Sequence, residues 1–389
     1  MAEIDLDELH KKYGGFYEPV VKVMVGDQDI QDDKKVPVIV SDVTVDVTST
    51  YKASIAEFTL LQSYSDTTGS FFTASLKKYI SMGTGISIYM GHGSSVTEVF
   101  KGFISAVNFV HDVQVEDASG IRITAMDVKG IMMANHSSKR LKANYYSDAV
   151  KEIFDQSTYQ NLQSNEAITT ITINDTPDKP SGGAGGGAGG AGGEEVDNRL
   201  EMVAESDYDF VVKAAKKFNF EFFTIGGNLV FRKAKSNTQD LGDIVPHSAI
   251  LRYDIGYDIT GVVGEVKVRT LDIGKANKIE VKKKNSNTFS LGSKAKPLIS
   301  GQTYVYIDSS IESQSDAENR AAYILEETSY RLGTLSMTFK GIPELVPGRF
   351  ISLKNFGAGA SNKFYITDVS HHFDGFNYTT TIFGKAATL

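Results

Sequence analysis

Seven histidines are the first residues to test for chemistry: His10, His92, His111, His136, His247, His371 and His372. None stands at the i, i+4 helical spacing of a zinc-binding pair. His371 and His372 are adjacent at the end of a run with strand character. Neighbouring side chains of a strand leave opposite faces, so these two cannot chelate one ion. Gly91-His92-Gly93-Ser94-Ser95 resembles a nucleophile loop, but Val96–Phe103 reads as strand, and the strand–turn–helix that exposes a hydrolase serine is missing. A hairpin turn is the better reading. The carboxylate pairs Asp32-Asp33, Glu194-Glu195 and Glu326-Glu327 fall in polar loops or on a helix face, where charge is solvated. Lys282-Lys283-Lys284, flanked by Lys275, Lys278, Lys294 and Lys296, lacks the interleaved aromatics of a single-strand nucleic-acid platform, and reads as a solvated loop or a docking patch for an acidic partner. The chain has no cysteine, which removes thiolate nucleophiles, thiolate metal sites and disulfides. No catalytic residue, metal ligand or cofactor is expected, and the chain reads as a non-enzyme.

The scaffold behind these residues has 389 positions, enough for two to four domains, and 41% hydrophobic residues, enough for real cores. The net charge of −8 is a poor match to a nucleic-acid binder. No run of apolar residues is long enough for a membrane-crossing helix, so no stable membrane association is expected. The acidic start, Met1 to Glu8, lacks the basic and apolar segments of a signal peptide, and cytoplasmic assembly is the expectation.

Most of the chain alternates apolar and polar residues in short runs punctuated by Gly, Asn, Asp and Ser, the pattern of antiparallel barrels. Examples are Val20–Val25, Val38–Val47, Ile86–Met90, Phe103–Val110, Gly120–Ala125, Thr334–Phe339, Phe350–Leu353, Phe364–Ser370 and Tyr378–Phe383. Val262–Thr270 reads the same way. Three segments read as helices: one capped by Ser147 and running to Tyr159, one opened by Ser206 with Asp209, and one opened by a Ser315–Glu318 capping box. Ser181–Gly193 holds nine glycines among 13 residues and forms no core, a tether or surface loop spanning about 20 Å.

A weak internal repeat runs through both halves. Gly85-Ile86-Ser87-Ile88, Gly91, Gly93, Phe103–Val107 and Ile121–Thr124 form one block. Phe350-Ile351-Ser352-Leu353, Gly357, Gly359, Phe364–Val369 and Thr379–Ile382 form another, in the same order. Two similar small β-barrels would produce this.

Several segments together resemble the tail-hub family of contractile injection machines. Glu201-Met202-Val203-Ala204-Glu205-Ser206-Asp207-Tyr208-Asp209-Phe210-Val211 matches that family's acidic opening of a helix, in which Glu205, Ser206, Asp207 and Phe210 are the motif residues. An aromatic strand pair follows, Phe218–Phe223 and Leu229–Arg232 around Gly226-Gly227-Asn228. Lys139–Tyr145 leading into Asp148–Ile153 is similar to the segment before the family's interdomain helix. Leu345-Val346-Pro347-Gly348-Arg349-Phe350, Tyr365–His371 and Asn377-Tyr378-Thr379-Thr380 resemble its second barrel, with Pro347, Gly348 and Tyr378 as motif positions.

The family includes phage late control protein D, the N-terminal part of VgrG and the baseplate hubs of extracellular injection systems. The resemblance implies a mainly β (α+β) fold with two related small β-barrels and intervening α+β segments. It further implies a homotrimer forming a pseudo-sixfold ring that adapts a hexameric inner-tube protein to a trimeric spike protein among other baseplate components. The organisation implied is an N-terminal arm over 1–17, a first barrel over 18–135, a helix-containing region over 136–260 with the tether at 181–193, and a second barrel over 261–389 carrying a helix at 315–330. The arm, Asp5–Tyr17, is read as ordered on a neighbour or frayed. A VgrG chain continues into a needle, whereas this sequence ends at Leu389, so the spike is expected to be a separate polypeptide or to be missing by truncation. The rival reading is a β-rich surface-binding module, a receptor-binding or adhesin protein.

Overall fold

The computed structural model describes residues 4–34, 38–112, 119–179, 199–272, 277–287, 294–308, 311 and 313–389. The Gly-rich segment 181–193 lies outside them, as do Pro37, Glu194, Glu195 and Lys275. The protein is mainly β, and one largely antiparallel sheet of thirteen strands runs through both halves.

Helix α1 (Leu6–Lys12) opens on Asp5, whose carboxylate accepts from the amides of Asp7 at 2.8 Å and Glu8 at 3.1 Å. Leu6, Leu9, Tyr13 and Phe16 are buried in the core of the second barrel of the same chain. The arm is therefore neither frayed nor docked only on a neighbour, because its apolar face already has a partner.

The first barrel contains β1 (Pro19–Val25), β2 (Ile39–Thr48), β3 (Ile55–Leu61), β4 (Gly85–His92), β5 (Ser95–Val110) and β6 (Gly120–Met126). They hydrogen-bond in the order β2-β3-β6-β5-β4-β1. Alternation sets the faces: in β3, Ala56, Phe58 and Leu60 are buried while Glu57 is exposed. The β4–β5 connection is a two-residue hairpin with His92 opposite Ser95, and Gly93 takes the positive φ of +55° that such a turn requires. Between β1 and β2 the Gln31 side chain spans the gap, donating to the Val21 carbonyl and accepting from the Val40 amide, both at 3.2 Å.

The middle unit comprises α2 (Tyr146–Phe154), α3 (Ser157–Ser164), β7 (Thr170–Ile173), α4 (Asp207–Phe218), β8 (Phe220–Ile225) and β9 (Asn228–Lys233). Its core is dominated by Phe154, Phe210, Phe218, Phe222 and Phe231. The helix expected to run from a Ser147 cap to Tyr159 is in fact two helices, broken at Asp155-Gln156. Ser147 sits buried inside the first turn of α2, where its amide donates to Thr176 Oγ1 at 2.9 Å, so it cannot be the cap.

The second barrel is built from β10 (Asp240–Ile244), β11 (Ile250–Tyr257) and four later strands. Between them lies a separate sheet of β12 (Glu265–Asp272), β13 (Asn277–Lys284) and β14 (Thr303–Ile307) under α5 (Gln314–Ser329). That sheet has its own small core of Val266, Val268, Val281, Ala317, Ala321 and Ile324. The chain returns through β15 (Gly333–Lys340), β16 (Phe350–Leu353), β17 (Lys363–Phe373) and β18 (Tyr378–Ala386), giving the order β11-β15-β18-β17-β16-β10. β10 and β11, which fall in the stretch read as interdomain, thus hydrogen-bond within the second barrel.

Two local expectations are corrected. Lys282-Lys283-Lys284 is strand, not loop: Val281 points into the core, while Glu280 gathers Lys267 at 2.7 Å and Arg269 and Lys278 at 3.0 Å on the outer face. The cap of α5 is Ser313, whose Oγ accepts from the Asp316 amide at 3.1 Å, rather than Ser315, which lies inside the helix.

The repeat is visible in the hydrogen bonding. One row runs across the first barrel from Val45 to Ala56, Ala125 and Ile104, and another across the second from Ile255 to Leu335, Gly384 and Ile366. In each barrel a bulge follows the last residue of the row, at Ser105 and at Thr367. In each, a glycine with positive φ, Gly83 at +84° and Gly348 at +77°, donates its amide to that last residue's carbonyl, at 2.8 and 2.9 Å. The two barrels join where β17 pairs antiparallel with β2, from Asp368 opposite Thr48 to Phe373 opposite Val43.

Candidate functional site

The residues singled out by sequence collect at three seams between these units. At the first, Ser206 caps α4: its Oγ accepts from the Asp209 amide at 3.0 Å, and Asp209 accepts in return from the Ser206 amide at 3.3 Å. Hydrogen bonding from the Ser206 hydroxyl holds the Asp209 carboxyl below its ordinary pKa. Asp207 is buried and accepts from the Tyr159 hydroxyl at 2.7 Å, while its own amide donates to Asn135 Oδ1 at 3.1 Å. Lys139 lies 3.9 Å from its other oxygen. Phe210 is buried against Tyr146, and Glu205 accepts from Lys213 through both oxygens at 2.6 and 2.8 Å. Asp207 thus pins the start of α4 to α3 and to the segment after the first barrel, while Ser206, Asp209 and Glu205 bond within α4 and its approach.

The second seam contains Pro347-Gly348. The Gly348 carbonyl accepts from Arg232 Nη2 at 2.8 Å, and Arg232 Nε donates to Glu221 at 2.6 Å. The Tyr365 hydroxyl donates to the same carboxylate, and burial pushes the Tyr365 pKa well up. A Cβ on Gly348 would stand 2.7 Å from Phe223 Cζ, so glycine is required by close approach as well as by φ. This seam locks β8 and β9 onto the second barrel.

Tyr378 marks the third. Its ring lies over Gly341, where a Cβ would fall 1.9 Å from Tyr378 Cδ1, and its hydroxyl is 2.9 Å from His371 Nδ1. Thr380 Oγ1 is 3.0 Å from the same nitrogen. Burial lowers the His371 pKa to about 3, so the ring is neutral. His92, from the β4–β5 hairpin, bonds the Gly341 carbonyl through Nε2 at 2.8 Å and packs 5.4 Å from Tyr13 and 5.5 Å from Tyr378. The first barrel, the second barrel and α1 meet here. His372 is exposed and bonds Thr44, so the two adjacent histidines do leave opposite faces.

A fourth cluster escaped the sequence reading. Asp127 accepts from the amides of Lys129 at 2.9 Å and Ser54 at 3.0 Å and from Thr224 Oγ1 at 2.8 Å. Lys129 Nζ, fully buried, lies 3.5 Å from Asp127 and donates to the Thr50 carbonyl at 3.2 Å. Burial drives the Lys129 pKa down against the pull of Asp127. The Asp-x-Lys opening of the short helix Val128–Met132 was a legible capping signal, but nothing local announced that its lysine is buried.

A cavity of about 500 Å³ lies among these seams, lined by Leu9, Val99, Ile225, Glu344, Pro347 and His371 among others. Glu344 is already held by Lys12 and the Tyr13 hydroxyl, each at 2.6 Å. Among the described residues no group of three His, Asp or Glu is placed to hold a metal ion, and no helix is long and apolar enough to cross a membrane.

The fold defined by these seams is that of tail proteins. Over 95% of this chain and 97% of the other, it superposes on the tail protein from Neisseria meningitidis MC58 with a TM-score of 0.64 and 13% identity. The 43 kDa tail protein of prophage MuSo2 from Shewanella oneidensis gives a TM-score of 0.63 at 11% identity, covering 94% and 98% of the two chains. The E. coli c3393 protein, a type VI secretion component structurally similar to the T4 bacteriophage tail proteins gp27 and gp5, gives 0.53 at 10% identity over 94% of this chain and 76% of its own. No family model matches the sequence, and no curated protein matches it. The likeness is therefore one of fold.

Proposed function

We propose that this chain is the structural hub of a contractile injection machine. Three copies form a ring of six barrels that adapts a hexameric inner tube to a trimeric spike and nucleates tube assembly. The observation carrying this reading is the duplicated meander, with its bulge and its glycine at matching places in both barrels. Two similar barrels per chain turn threefold order into six near-equivalent surfaces. The three buried seams make each chain a rigid segment of such a ring, and the fold shared with tail proteins supports the same setting. The chain's role in this reading is geometric rather than catalytic, as part of a phage tail, secretion apparatus or extracellular injection particle.

Light scattering on a sizing column, with negative-stain images of the same peak, tests this. Three chains of 42.4 kDa, about 127 kDa, with a sixfold outline are expected. A single-chain particle that binds cell surfaces and ignores tube protein would replace the hub with the surface-binding reading.

A further inference from the structure

The seam between β17 and β2 is seen once in the chain, yet the repeat contains its parts twice. The hydrogen-bonded rows make Ile104 equivalent to Ile366 and Val45 equivalent to Ile255. Carried through these equivalences, Asp368–Phe373 of β17 corresponds to Ala106–His111 at the end of β5. Val43–Thr48 of β2 corresponds to Tyr253–Asp258 of β11 and the residue after it.

Both counterparts are free edges. Beyond Phe103, β5 leaves β4 and pairs only with β6, and β11 pairs only with β15 and ends the thirteen-strand path among the described residues. Their side chains match what the intact seam buries. On the core-facing side that seam places Val369, His371 and Phe373 against Val47, Val45 and Val43, all buried. The equivalent positions hold Val107 and Phe109 on β5 with His111 just beyond it, and Tyr257, Ile255 and Tyr253 on β11. Phe109 and Tyr253 are each 50% exposed in the single chain, whereas their counterparts His371 and Val43 are buried. Unpaired, half-exposed apolar edges are the kind that folded proteins cover.

We infer that these two edges are one interface, formed between a second copy of this chain and the first. The Ala106–Val110 segment of one copy pairs antiparallel with β11 of the next, setting Val107 opposite Tyr257 and Phe109 opposite Ile255, as Val369 stands opposite Val47 and His371 opposite Val45 within the chain. The contact is head-to-tail, and it alternates with the intrachain seam, so three copies close a ring in which the sheet runs on from barrel to barrel. This inference rests on the hub reading and deepens it by naming the edges and their register.

Because the chain has no cysteine, the register is directly readable by cross-linking. The full chain carrying Phe109→Cys with Ile255→Cys is oxidised with diamide beside an off-register pair, Phe109→Cys with Arg252→Cys, and each single variant. Opposed residues of paired strands lie within disulfide reach, and displaced ones do not. The expected result is a reducible ladder of two and three linked chains for the matched pair and its loss in the others. A three-chain ring by light scattering without matched cross-links overturns the register and leaves the hub. A single-chain particle without cross-links overturns both.

Discussion

Ser105 and Thr367 occupy the same place in two copies of one meander: each is the extra residue of a bulge, and each hydroxyl bonds the carbonyl on the facing strand. Ser105 Oγ donates to the Thr124 carbonyl at 3.1 Å, and Thr367 Oγ1 to the Phe383 carbonyl at 3.2 Å. A bulge bends its strand and strengthens twist, so the paired bulges give both barrels the same curvature. Equal curvature is what the proposed ring would require of two barrels in one chain.

The glycines next to these bulges separate conformational cost from crowding. Gly83 and Gly348 share a positive φ, but a Cβ on Gly83 meets open space while one on Gly348 meets Phe223. Gly83→Ala is expected to cost about 1 kcal/mol from backbone strain alone. Gly348→Ala is expected to cost roughly 2–4 kcal/mol, because overpacking adds to that strain. Urea unfolding of both variants checks the order; equal losses would show that the Phe223 contact relaxes freely.

Asp127 and Lys129 should respond unequally to truncation. Asp127→Ala strands a fully buried ammonium and three buried donors, and about 3–5 kcal/mol should be lost. Lys129→Met fills the same space and leaves the carboxylate with its two amides and the Thr224 hydroxyl, so a smaller loss is expected. Denaturation midpoints of the two variants decide this, and the reverse order would refute the assignment.

Stability should fall on acidification before most carboxylates titrate. His371 has an ordinary pKa of 6.5 that burial depresses to about 3 in the folded chain. Between those values the unfolded state binds a proton that the folded state refuses, so stability rises with pH through this window and levels off above it. His92, also lowered by burial, acts in the same direction. The full His371 contribution is on the order of 5 kcal/mol. Unfolding free energies at pH 5 and pH 7 should differ by less in His371→Gln than in the parent chain.

Two serines near the start of α5 give a sharp contrast. Ser313→Ala removes the hydroxyl that accepts from the Asp316 amide and should cost about 1 kcal/mol. Ser315→Ala, inside the helix, should be neutral within about 0.5 kcal/mol. Thermal melts of the two variants read the difference.

What the sequence determined by itself was whatever depends on neighbours along the chain. The Ser206–Asp209 box, the Gly93-Ser94 hairpin and the opposite facing of His371 and His372 are settled by spacing and backbone periodicity, and all three could be read directly. The duplicated order of strands was legible for the same reason, since alternation repeats wherever the same face is buried. Tertiary structure alone decided which strands meet and where charge is buried. β10 and β11 have no local signal that binds them to strands 100 residues onward, and α1 carries an amphipathic face without any mark of which barrel it covers. Lys282-Lys283-Lys284 looked like a loop because one face of β13 is solvated, and its strand state comes from pairing with β12. Nothing along the chain marks Lys129 for burial, which comes only when the fold sets it against Asp127 and the Thr50 carbonyl. Strand pairing and buried charge are settled by contacts between residues far apart in the chain, whose free energy exists only once the fold has brought them together.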